Sequence, residues 1–298
     1  MSTPASTTVS WPAATPSRRA GFTRRLGRRR TAVAGILILL GFAVAASLGP
    51  FLLPYQPNAA DFEQVLLRPS WAHPFGTDNL GRDLLTRVIY GARVSFLIGL
   101  LGVTLSVAVG VPLGLVSGYW GGRLDLLLQR LVDILLAFPG FLLALTLVAV
   151  LGVGVLNVVV SVGLATAPTY IRLVRGVVLS VREHTYVEAA RALGASDGRL
   201  VLRHVLPNCL PPLIVQSTLQ LGTAILTAAG LGFLGLGVRP PTPEWGTMLG
   251  EGQTYVFSSW YIATFPGLAI FLAVMAFNLL GDGLRDALDP RMTALHAR

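Results

Sequence analysis

Five stretches of the chain contain no Asp, Glu, Lys, Arg or His: 31–60, 94–122, 134–171, 205–238 and 252–281. A helix needs about 20 apolar residues to cross the hydrocarbon core of a bilayer. Four of these stretches fit one crossing each. The 38 residues of 134–171 have room for two, and Gly152-Val153-Gly154 with Asn157 supplies a tight turn near the middle. The spacing predicts six spans, at about 32–53, 94–117, 133–151, 157–175, 210–235 and 261–281. Lipid offers the backbone no hydrogen-bond partners, so apolar spans of this length are helices. The expected fold is therefore all-α: a polytopic membrane protein with six transmembrane helices. Composition agrees, since 12% of residues are charged and 53% hydrophobic, where a soluble domain carries about 25% charged residues.

The basic residues, all Arg, fix the expected orientation. With the N-terminus inside, eighteen Arg fall on inner segments and five (Arg68, Arg82, Arg87, Arg93, Arg239) on outer ones. Basic residues accumulate on the cytoplasmic side. Both termini, and the segment between the fourth and fifth helices, are then cytoplasmic. This asymmetry accounts for the net charge of +9 without nucleic acid as a partner. Residues 1–30 are Ser/Thr/Pro-rich and then Arg-rich, which predicts a disordered cytoplasmic tail beside the lipid bilayer. The first apolar run continues into Gly49-Pro50 and Pro54 rather than a small-residue cleavage site, and reads as a retained anchor.

Several chemistries are absent. With no Gly-x-x-x-x-Gly-Lys, and no Lys at all, the chain has no phosphate-binding loop of that kind for ATP. Gly230, Gly232 and Gly235 formally match Gly-x-Gly-x-x-Gly, but they lie in an apolar membrane run with no βαβ unit around them. There the small residues allow close approach of helices. The single Cys209 excludes an intrachain disulfide, and the four His have no zinc-ligand spacing, so no metal site is expected. Carriers driven by protons or ions usually place an ionisable group inside the membrane. The charge-free windows count against an ATP-independent secondary carrier or channel, which stands as the alternative reading. Polar groups within the spans are few. Gln216 and Gln220, four apart on one helical face, are candidates for a translocation path, with interhelical hydrogen bonding as the plainer role.

The most polar segment between spans is Glu188–Asn208. Good helix formers run from Glu188 to Leu193, and Gly194 can end that helix in the left-handed conformation. Ser196 is a candidate N-cap for a second helix, with Asp197 in its first turn. Val201/Val205 and Leu202/Leu206 lie four apart on an apolar face, and Pro207 is expected to stop the helix.

The order Glu188-Ala189-Ala190, three residues, Gly194, then Leu206-Pro207 resembles the EAA loop of ABC importer permeases. Three further stretches resemble the C-type permease of the dipeptide/oligopeptide/nickel importers: Gly76-Thr77-Asp78-x-Leu80-Gly81-Arg82-Asp83 with Gly91-Ala92-Arg93-x-Ser95; Val238-Arg239-Pro240-Pro241-x-Pro243-Glu244-Trp245-Gly246; and the segment from Asp282 to Arg291. The resemblance implies a permease subunit that is not itself an enzyme. It implies a homologous second permease, two ABC ATPase subunits that bind ATP and Mg, and an extracytoplasmic substrate-binding protein. It further implies a coupling helix pair over 183–208, in which Glu188, Ala189, Ala190, Arg191, Gly194, Ala195, Leu206 and Pro207 dock on the ATPase. Asp78, Arg82, Asp83 and Trp245 become candidates for contact with the binding protein. Independently of the resemblance, Thr77 or Asp78 is expected to cap the helix leading into the second span, and Trp245 to sit at the membrane interface. The expected division is a tail (1–30), a first helix and outer segment (31–93), a transmembrane core (94–285) and a cytoplasmic tail (286–298), with the last helix expected to stop at Pro290.

Overall fold

The structure is a computed structural model that describes residue 27 and residues 29–288. The expected disorder of the N-terminal tail and the stop at Pro290 fall outside the described residues. Among those residues there are ten α-helices: α1 (Arg30–Leu52), α2 (Leu84–Trp120), α3 (Gly122–Ala137), α4 (Gly140–Leu151), α5 (Val155–Val181), α6 (Thr185–Ala192), α7 (Asp197–Leu200), α8 (Leu206–Phe233), α9 (Trp245–Gly252) and α10 (Tyr261–Leu288). Five helical stretches are long and apolar enough to cross a membrane, and the α3–α4 pair brings the number to six if it counts as one span.

The third crossing differs from the continuous helix expected at 133–151. Its two helices meet at 95°. Pro139 is the cause: its ring pushes the preceding residue out of the helical region, and Phe138 takes φ −86°, ψ 141°. The twelve residues of α4 rise about 18 Å, short of a full crossing by themselves. The reversal at 152–157 is as expected. Gly152 and Gly154 have φ of +88° and +142°, and Asn157 Nδ2 donates to the carbonyls of Leu151 and Gly152 at 2.8 and 3.0 Å.

The second span starts ten residues earlier than expected, so the boundary anticipated at 93/94 lies inside α2. Its N-cap is Asp83, which accepts from Thr86 N–H at 2.8 Å. Neither Thr77 nor Asp78 caps it.

One face of α2 carries Gly102, Ser106, Gly110, Gly114 and Gly118, four residues apart and all buried. α5 lies directly on this stripe: a Cβ at Gly114 would meet Val174 Cβ at 2.7 Å, and one at Gly118 would meet Val178 Cβ at 2.8 Å. Membrane helices gain nothing by hiding apolar surface from lipid, so close van der Waals contact between small residues is what holds them. Ser106 Oγ donates to Gly163 O across the seam at 2.8 Å. α10 closes the bundle against α1 and α8, with Gly35 facing Ala276 and Gly281 facing Leu219. Arg29 and Asp286 pair at 3.5 Å, so the start of α1 and the end of α10 lie together. The end of the molecule holding them is called inner below, and the end holding 54–83 and 234–260 outer.

Candidate functional site

At the inner end α5 runs through a short turn into α6. The α6–α7 turn is a Schellman closure: Gly194 N–H donates to Arg191 O at 2.9 Å and Ala195 N–H to Ala190 O at 3.1 Å. Gly194 takes φ +87°, and open space surrounds the point where a methyl group would sit, with no atom within 4 Å. The demand for glycine there is conformational rather than steric. Ser196 has the extended backbone of an N-cap, but its side chain makes no capping bond.

Pro207 does not stop the second helix. The chain widens into a π-turn over Val201–Val205, where Leu206 N–H bonds Val201 O, and then continues as α8. Proline has no N–H to give and its ring crowds the preceding turn, so one extra residue in the turn lets the helix pass it. The buried stripe is Val201, Val205, Cys209 and Leu213. Leu202, expected on the apolar face, is 64% exposed.

Glu188, Ala189, Arg191, Gly194 and Pro207 are exposed, while Ala190, Ala195 and Leu206 are half-buried. Tyr186 and Leu193 extend the exposed surface, Leu193 at 90%. Glu188 and Arg191 do not pair with each other. Arg191 Nη2 donates to the Tyr119 hydroxyl at 3.2 Å, and that hydroxyl donates to Asp197 Oδ1 at 2.7 Å. The hydrogen bond to Tyr119 and the nearby Asp197 and Glu188 carboxylates raise the Arg191 guanidinium above its ordinary pKa. Below Tyr119, Arg182 Nη1 donates to Gly118 O at 3.0 Å. Arg175 forks onto Asp125 at 2.6 and 2.7 Å, and Asp125 also accepts from Ser117. Tyr119 is the residue that sequence reasoning missed here. Its only sequence mark is an aromatic at a span end, a common feature of membrane helices.

At the outer end the four residues anticipated as contacts for the binding protein are inside the chain. Asp78, Arg82 and Asp83 are buried, and Trp245 is completely so. Arg82 Nε donates to Asp78 Oδ2 at 2.6 Å, and Arg82 and Arg87 both face Glu251, at 3.3 and 3.8 Å. Two carboxylates thus balance two guanidiniums, which a buried charge cluster requires. Arg87 Nη1 also donates to Pro57 O at 3.0 Å, pinning the outer segment. His73 joins Asp83 Oδ1 to Gln64 Oε1, at 2.9 and 2.7 Å. Trp245 is not interfacial. It lies against Gly91, whose missing side chain leaves room for the ring, and donates from Nε1 to Val88 O at 2.8 Å. Glu244 caps α9, accepting from the N–H groups of Gly246 and Thr247 at 2.9 and 2.8 Å and from Ser95 Oγ at 3.0 Å. The two outer motifs, distant in sequence, therefore form one plug. Beside it an outer cleft of about 540 Å3 is lined by Gly232, Gly235, Arg239, Thr247 and Glu251 among others.

Gln216 and Gln220 lie 3.5 Å apart on α8, Nε2 of the first toward Oε1 of the second. Gln220 is buried and Gln216 half-buried. Among the described residues no three His, Cys, Asp or Glu come together as metal ligands.

A bundle of apolar helices with a polar helix pair protruding at one end is the architecture of a transport permease, and the sequence places it. The chain belongs to the binding-protein-dependent transport system inner membrane components, whose family model matches residues 110–294. Residues 17–69 match the N-terminal TM domain of oligopeptide transport permease C. It is 46% identical to the di/tripeptide transport system permease protein DppC of Pseudomonas aeruginosa, over 93% of both chains. It is 45% identical to the dipeptide transport system permease protein DppC of Alkalihalophilus pseudofirmus, over 90% of this chain and 88% of that one. It is also 45% identical to the glutathione transport system permease protein GsiD of Pectobacterium atrosepticum, over 91% and 90%. Two inward-facing crystal forms of the MetNI methionine ABC transporter share the fold. They are 19% and 21% identical, each with a TM-score of 0.54, over 68% of this chain and 96% of theirs. The protein is thus a multi-pass inner-membrane permease subunit of an ABC importer, and not a catalytic enzyme.

Proposed function

We propose that this permease carries short peptides, and that it does so as one half of a pathway completed by a homologous second permease. The observation that carries the substrate class is the identity of 45–46% along nine-tenths of the chain to permeases whose names give di/tripeptides, dipeptides and glutathione. Two ABC ATPase subunits supply the energy and hold ATP and Mg. An extracytoplasmic binding protein delivers the solute.

In this reading the Arg asymmetry places both termini and the α6–α7 pair in the cytoplasm. Glu188 and Arg191 steer docking on the ATPase, Ala189 and Ala190 permit close approach, and the turn at Gly194-Ala195 sets the angle of the pair. Closure of the ATPases on ATP displaces the pair. Because α7 runs through Leu206-Pro207 into α8 without a break, the displacement passes directly to the helix that carries Gln216 and Gln220. The exposed apolar residues of α3, such as Leu127 and Leu131, suit an apolar neighbour, as the second permease is. At the outer end the buried Asp78–Arg82–Asp83 cluster and Trp245 act indirectly, by holding the surface on which the binding protein lands.

The test is purification of the chain from native membranes with its partners, followed by reconstitution with the binding protein. Co-purified ATPases and peptide uptake that is lost on Gly194→Pro or Glu188→Arg, with membrane insertion intact, are the expected results. Normal uptake by both variants overturns the coupling role. A homomer without ATPase overturns the partner set.

A further inference from the structure

We infer that Tyr119 is a positioning residue of the transport cycle: through its hydroxyl it holds both helices of the α6–α7 pair in register with α2, which carries their displacement to the outer plug. The inference rests on the coupling role proposed above and adds a residue and a route to it.

Tyr119 lies in the last turn of α2 and is 8% exposed. Its hydroxyl makes two bonds of opposite sense. It accepts from Arg191 on α6 at 3.2 Å and donates to Asp197 on α7 at 2.7 Å. One oxygen atom therefore touches both sides of the Gly194 turn. Both bonds involve a charged partner, the stronger kind of hydrogen bond. Arg191 also lies over the Tyr119 ring, 5.9 Å from its centre. Arg191 and Asp197 flank the turn that the pair presents outward, so any change in the angle between α6 and α7 strains one of these bonds or the other.

The remaining route is a single element. α2 is 37 residues long, about 55 Å at 1.5 Å per residue. At its far end Asp83 caps it, Arg87 reaches Pro57 O, Val88 O receives the Trp245 indole N–H, and Ser95 donates to Glu244. The glycine stripe keeps the helix flush on α5 along its inner half, and α5 is itself the element that leads into α6. The α2–α5 unit is thus fastened to the plug at one end and to the coupling pair at the other. Pro112 interrupts the hydrogen-bond ladder of α2 midway, but the contacts of Gly110 with Tyr170 and of Gly114 with Val174, on either side of it, hold both halves of the helix against α5.

The experiment compares Tyr119→Phe and Asp197→Ala with the unaltered chain in the complete reconstituted transporter. Phe keeps the ring and its contact with Arg191, and removes only the hydroxyl. Co-purification of the ATPases, basal hydrolysis, hydrolysis stimulated by peptide-loaded binding protein, and peptide taken up per ATP are measured. We expect co-purification and basal hydrolysis to be retained in Tyr119→Phe. Uptake per ATP is expected to fall about tenfold, the equivalent of about 1.4 kcal/mol. Asp197→Ala, which removes one of the two bonds, should give a defect of the same kind and no greater, and the double variant no larger a defect than Tyr119→Phe alone, because both act through one oxygen. Uptake per ATP unchanged in Tyr119→Phe overturns the inference, and does so without touching the coupling role of the pair, since the ATPases still co-purify. If neither variant assembles, Tyr119 is a folding residue and the inference is likewise overturned.

Discussion

Gly114→Ala puts a number on the seam between α2 and α5. A methyl group at Gly114 would sit 2.7 Å from Val174 Cβ and 2.8 Å from Ile171 O. Carbon atoms pack best at about 3.5–4.0 Å, so the shortfall is about 1 Å. Neither obstacle is the end of a flexible side chain: one is a Cβ and the other a backbone carbonyl. The helices must separate, and the contacts of Gly110 and Gly118 on either side are lost with them. Overpacking of this kind costs about 1–3 kcal/mol, against which Ala regains about 1 kcal/mol of helix propensity. The net loss is about 0–2 kcal/mol. Gly176 on α5 is the control. It is exposed, with nothing within 4 Å of its Cβ position, so Gly176→Ala keeps only the gain of about 1 kcal/mol. Thermal unfolding of the purified chain in detergent measures both. At about 2–4 °C per kcal/mol for a chain of this size, the two melting temperatures should separate by roughly 2–12 °C, with Gly114→Ala the lower. Equal melting temperatures would refute the claim that close backbone approach holds this pair.

Substitutions at two further positions probe the inner and outer ends. Gly194→Val forces a β-branched residue into φ +87°; the strain of about 1–2 kcal/mol should reopen the α6–α7 turn and lower binding-protein-stimulated ATP hydrolysis. Gly194→Asn, which tolerates that conformation, should keep most of it, and equal loss in the two would show that the turn geometry is not the cause. Glu244→Ala leaves the N–H groups of Gly246 and Thr247 without their acceptor in a buried position. Its cost is about 2–3 kcal/mol, read as a lower melting temperature, with Glu244→Gln falling between because it retains one acceptor oxygen. A melting temperature unchanged in Glu244→Ala would show that the plug does not depend on the cap.

Features that depend on the solvent and on local backbone rules were legible in the order of residues alone. Charge-free windows of about 30 residues can only be helices in lipid, and the glycines at 152, 154 and 194 turned where the pattern placed them. The α6–α7 pair was legible because Gly194 ends α6 by its own backbone preference, whatever surrounds it. Local rules failed where a neighbour competed. Pro207 ends an isolated helix, yet here a π-turn carries the chain past it. Trp245 has the character of an interfacial residue, yet Gly91, far earlier in the chain, leaves a slot that buries it. Asp78 can cap a helix, yet the charges of Arg82 and Arg87 claim it, and Asp83 takes the cap. The stripe from Gly102 to Gly118 stood in the sequence, but its meaning depended on which helix lay against it. Tyr119 carried no distinctive mark, because its role arises from Arg191 and Asp197, brought to one oxygen only when α6 and α7 fold back over the end of α2. Burial and long-range pairing decide these positions, and no window of neighbouring residues contains them.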